Sequence, residues 1–87
     1  MTAESAEILA LEGLGWLAGQ DEGLDRFLEV SGLDPAGLRA AAGAPGTGLA
    51  VLEFLLANEP LLVAFCDATG TSPQTIHAAR HKLEGPA

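Results

Sequence analysis

The chain predicts an all-α fold: a compact, pseudo-twofold six-helix bundle made of two tandem three-helix units. Three observations carry this. Positions 11 to 41 align without a gap onto positions 49 to 79, an offset of 38 residues. Helix stop and start signals fall at matching places in both copies. Tyrosine is absent and the β-branched residues are too scattered to make alternating runs of strand length. The identities include Leu14/Leu52, Leu17/Leu55, Leu24/Leu62, Phe27/Phe65, Gly32/Gly70 and Pro35/Pro73, and Trp16/Phe54 and Leu38/Ile76 are chemically similar pairs in the same register. A period of this size marks a supersecondary unit that buries its apolar face against its copy. A single domain over 1–87 follows, with units of about 8–43 and 48–84 joined by a Gly/Pro linker at 43–48.

The elements can be justified in order. Thr2 is placed to cap a first helix that runs to about Ala18, with Glu4 and Glu7 near the positive end of its dipole. Asp21 is the expected cap of a second helix from Glu22 to about Ser31, which Gly32 stops in a left-handed conformation. Asp34-Pro35 then supplies a cap and an N1 proline for a short third helix ending near Gly43. After the connector Gly43 to Gly48, a fourth helix is expected over Leu49 to Ala57. Pro60 opens the fifth, with Asn58 or Glu59 as cap, and Gly70 ends it. Ser72-Pro73 opens the sixth, which runs to about Leu83.

Apolar residues surround most of the first helix (Ile8, Leu9, Leu11, Leu14, Trp16, Leu17) and of the fourth (Leu49, Val51, Leu52, Phe54, Leu55, Leu56). Helices of this kind belong at the centre, packed on each other with the others outside. Gly13, Gly15 and Gly19 weaken the first helix by up to ~1 kcal/mol each, tolerable where they permit close backbone approach at that seam.

Composition restricts the function. Twelve carboxylates against four Lys and Arg give a formal charge of −8. Such a chain repels phosphate backbones, so nucleic acid and anionic membranes are unfavoured partners. Eight of the acids lie before position 35 with only Arg26 among the bases, whereas His77, Arg80, His81 and Lys82 gather near the other end. The single cysteine, Cys66, excludes an internal disulfide, the first residues carry no basic leader, and a reducing cytoplasm is the expected setting.

The candidates for chemistry are few. His77 and His81 have the four-residue spacing of a shared metal, but there is no third ligand except Glu84 and no glutamate follows His77 as the HExxH pattern requires. Cys66 aligns with Leu28 and reads as a small core hydrophobe; catalysis by Cys66 or His77 would need a base within reach and a cleft. Glycines 43, 46 and 48 lack the preceding strand and the Lys-Ser/Thr of a phosphate loop. No cofactor, metal or catalytic site is expected. Trp16 and Phe54 are core residues on the plain reading. If they face solvent they would form, with Leu9 and Val51, an interaction surface, because aromatics dominate interface energetics.

The run Gly32 to Arg39, followed by Val51 to Leu56 and Leu61 to Phe65, resembles a family of small alphaproteobacterial helical proteins known as domain of unknown function 3572. The resemblance spans about Glu7 to Leu83. It carries no assigned functional residues and implies at most a signalling-related partner. The expected function is therefore subtractive: a non-enzymatic protein–protein interaction or small regulatory domain, with pairing to a second copy as one outcome. Small-molecule binding between the units, or a minor enzymatic role of Cys66 or His77, is the alternative.

Overall fold

The structure, a computed structural model, describes residues 1–20 and 22–85. It contains α1 (Ala3–Ala18), α2 (Gly23–Ser31), α3 (Pro35–Ala41), α4 (Pro45–Ala57), α5 (Glu59–Thr69) and α6 (Pro73–Glu84), with no strand among the described residues.

Caps account for most of these boundaries. The Thr2 hydroxyl accepts from Ser5 N–H at 3.0 Å, Asp34 Oδ1 from Gly37 N–H at 2.6 Å and Ser72 Oγ from Thr75 N–H at 3.2 Å. Gly32 and Gly70 close α2 and α5 with φ of 75° and 73°, and their N–H groups donate to Leu28 O and Cys66 O. A side chain at either φ would be strained, which is why the same residue recurs there. The expected Asp21 cap lies outside the described residues; α2 begins after Glu22, which makes no side-chain cap hydrogen bond. Asn58 does not cap α5 through its side chain. Its amide instead donates to Phe54 O at 2.7 Å, satisfying a carbonyl at the end of α4.

One boundary differs from expectation for a physical reason. The fourth helix starts at Pro45, four residues before Leu49, so most of the presumed linker is helical. Proline at N1 is already set to the helical φ, and Ala44 O accepts from both Thr47 and Gly48 N–H to close the first turn. Gly48 is then a packing residue: a Cβ there would stand 3.2 Å from Ala10 Cβ and 3.4 Å from Leu83 Cδ1.

The core is a trio of mutually packed helices, α1, α4 and α6, with α2 on α1 and α4, and α5 on α4 and α6. Leu17, Val51, Leu52, Leu55, Phe27, Phe65 and Ile76 are its large fully buried side chains. The expectation of α1 and α4 packed together at the centre is met at Gly13, where a Cβ would lie 3.2 Å from Val51 Cγ1. Gly15 has open space on its Cβ side, and Gly19 is the C-cap of α1, so neither belongs to that seam. Helix α6 joins the centre although its counterpart α3, only 7 residues long, adds a single buried side chain, Leu38. Two edge-to-face aromatic pairs link the halves: Trp16 with Phe65 at 5.6 Å and Phe27 with Phe54 at 5.5 Å. The Cα radius of gyration, 11.9 Å, is that of one compact body, for which about 12 Å is expected at this length.

Candidate interaction surface

Helix α1 differs from α4 in one respect that the apolar count does not reveal. At about 100° per residue, Ala6, Leu9, Ala10, Gly13 and Leu17 fall on one side and are buried. Glu4, Ile8, Leu11, Gly15 and Ala18 fall on the other and are exposed. The expectation that α1 is enclosed all round therefore fails, because six short helices supply too little surface to cover it as well as α4. Ile8 and Leu11 are 53% and 49% exposed, in the middle of a helix whose outer face would ordinarily be polar. The spacing from Glu4 to Ala18 alternates four and three residues, the pattern of a helix seam.

Carboxylates edge this strip. Glu7 and Glu12 lie to either side of it and Glu4 heads it, all exposed. No basic residue occurs in α1. The two ion pairs among the described residues, Arg26 with Glu22 and Arg80 with Glu84, leave all three α1 acids without a cation. Glu7, Leu11 and Leu14 also line a cleft of about 40 Å³ against Gly43 of the α3–α4 turn and Thr47 in the first turn of α4. That volume suits water, not a metabolite.

The other residues singled out from sequence are placed as follows. Leu9, Val51 and Phe54 are buried and Trp16 is half-buried with its ring edge-to-face to Phe65, so these four do not form a surface; they are core packing. The exposed large apolar side chains of α1 are instead Ile8 and Leu11, and the sequence signal for that face is the seam spacing. Cys66 is buried, and burial together with the neighbouring Asp67 carboxylate pushes its thiol pKa up, opposite to the activation a nucleophile requires. His77 and His81 are exposed on α6. Among the described residues, no group of three or more His, Cys, Asp or Glu is arranged to hold a metal ion. None of the described helices is alone long and apolar enough to cross a membrane. Several larger depressions, of about 310 to 490 Å³, are open to solvent; one of about 430 Å³ is a trough between α2 and α4, with Phe27 and Phe54 among its lining residues and the exposed Val30 beside them.

Comparison with known proteins returns no match among curated proteins and none among solved structures. A family profile, described as "Protein of unknown function (DUF3572)", matches residues 3–86. That span includes all six helices, the paired Gly32 and Gly70 stops and the proline-led starts at Pro35 and Pro73, and the chain therefore belongs to the DUF3572 family.

Proposed function

We propose that this chain is a non-enzymatic protein-binding domain that engages its partner through the outer face of α1. The carrying observation is the exposed Ile8–Leu11 strip with unpaired carboxylates on both sides. Apolar exposure of that kind costs solubility, and contiguous apolar surface with a polar rim is the mark of an interaction site. The upward shift of the Cys66 pKa and the small size of the α1 cleft favour this reading over catalysis. A reducing, cytoplasmic setting suits the lone thiol, and a signalling-related protein is the partner class the family resemblance implied. We also read the six helices as two three-helix units about a pseudo-twofold axis; the exchanged pairs Trp16–Phe65 and Phe54–Phe27, formed by aligned positions, support it.

A photo-crosslinking residue placed at Leu11, in the organism that makes the protein, tests the binding reading. A discrete adduct is expected from position 11 and not from the exposed Ala36 of α3, and Ile8→Gln should abolish it while leaving the thermal melt unchanged. Adducts from both positions alike, or from neither, would refute it. Small-molecule binding has one observation in its favour, the α2–α4 trough, whose volume lies within the range of ligand sites. Filling it with Ala57→Phe should leave partner capture intact if the protein-binding reading holds.

A further inference from the structure

We infer that the partner is a basic amphipathic helix that lies along α1 and crosses it closely at Gly15. This rests on the reading above and adds the chemistry and shape of the occupant.

Shape comes from the strip itself. Ile8 and Leu11 project from it, whereas Gly15 and Ala18 one and two turns later leave it bare, so the surface steps down from two branched side chains to exposed backbone. Gly15 is in the interior of a helix, where glycine costs about 1 kcal/mol relative to alanine, yet among the described residues nothing beyond the backbone of α1 itself comes within 4 Å of its Cβ side. Gly13, by contrast, is accounted for by Val51 and Leu55. A straight strip four turns long, with a seam spacing of four and three, fits the side chains of another helix. It does not fit an extended strand, since no sheet edge is present among the described residues. The strip is one face of one 16-residue helix, whereas a standard interface of ~800 Å² per partner would take about a sixth of the 5053 Å² surface of this chain. A single docked helix is the natural scale of such a contact.

Charge gives the sign. Glu4, Glu7 and Glu12 surround the apolar residues, none has a cation within the described fold, and the whole molecule carries −8. A helix with Lys or Arg beside its apolar seam would neutralise them at the rim. A second copy of this chain would add three more α1 carboxylates and no α1 cation to the seam, so a basic helix is favoured over self-pairing.

The test uses the full ¹⁵N-labelled chain and three synthetic 18-residue peptides: a Leu/Ala-seam helix flanked by Lys, the same helix flanked by Glu, and a scrambled Lys peptide of identical composition with no seam. The Lys-flanked helix should bind with a micromolar Kd and shift the α1 amides from Glu4 to Ala18. The Glu-flanked and scrambled peptides should each bind at least tenfold more weakly. Leu11→Gln and Gly15→Leu, both at exposed helical positions, should each weaken the Lys-flanked helix at least tenfold with no loss of the folded state, the Gly15 variant melting no lower than the native chain. Equal binding of the scrambled peptide would reduce the effect to attraction by net charge and overturn the inference. So would shifts spread over α2 and α5, or insensitivity to both substitutions. A chain that ignores all three peptides but self-associates in a Leu11-dependent way has a second copy as its occupant, which also overturns it. If the Leu11 crosslink forms while the peptides fail, the protein-binding function stands and the basic-helix chemistry does not.

Discussion

Phe27 and Phe65, aligned in the two copies, are the largest fully buried side chains. Each also meets an aromatic of the other half edge to face. Truncating either to alanine should cost about 3–5 kcal/mol. Against a total of roughly 5–10 kcal/mol for so small a domain, either variant should be largely unfolded in a thermal melt near physiological temperature. The glycines of α1 give a sharper contrast. Gly15→Ala should raise stability by about 0.5–1 kcal/mol, since it gains helix propensity and meets no neighbour. At Gly13 the same change sets a Cβ 3.2–3.3 Å from Val51 and Leu55, so crowding offsets the propensity gain. Urea titrations should separate the two variants by about 0.5–1 kcal/mol, with Gly15→Ala the more stable. For Cys66 the sign follows from its raised folded pKa. The neutral thiol contributes its full stability below the unfolded thiol value of about 8.5, and that contribution is lost as pH climbs from there through the folded value. The alkaline fall in melting temperature should therefore be smaller in Cys66→Ala, and native Cys66 should react with a thiol reagent more slowly than the unfolded chain.

Individual helices show what the sequence made legible and what it did not. Residues whose effect is local were readable directly: Thr2, Asp34 and Ser72 cap as their hydroxyl and carboxylate chemistry demands, and Gly32 and Gly70 take the left-handed turn. The start of α4 was missed because Gly43 to Gly48 has the composition of a linker, and glycine content outweighed the N1 signal of Pro45. Coverage was harder. The apolar girdle of α1 looks like that of α4, and only the tertiary arrangement decides that the large apolar side chains of α4 are covered while Ile8 and Leu11 face outward. For the same reason Leu9, Trp16, Val51 and Phe54 were plausible surface residues by composition, whereas packing consigns them to the core. The left-handed stops make a testable pair at this scale: Gly32→Ala and Gly70→Ala should each destabilise by about 1 kcal/mol through backbone strain alone, because neither Cβ would meet another atom. Equilibrium denaturation of the two variants is the measurement.

At the scale of the whole molecule, the net charge of −8 makes ionic strength diagnostic. Complexes with a basic helix should weaken between low and moderate salt, whereas a dimer of two −8 chains should tighten as their repulsion is screened. Sedimentation of the chain at micromolar concentration, alone and with the Lys-flanked peptide, reads both trends in one series. The expected outcome is a lone chain that stays monomeric in both salts and a peptide complex that is lost at the higher one.

The exchanged aromatic pairs carry a consequence for how the chain can be divided. Each half contributes one ring from its first helix and one from its second, and each of those rings finds its partner across the midline: Trp16 on Phe65, Phe54 on Phe27. A cut near Gly43 would therefore not release two miniature domains, despite the repeat in the sequence. Residues 1–43 and 44–87, made as separate peptides, should each be poorly ordered alone and should regain helicity when mixed in equal amounts. Trp16, the sole tryptophan, would report that reassembly, since its indole passes from water to the edge of Phe65 only when the other fragment arrives.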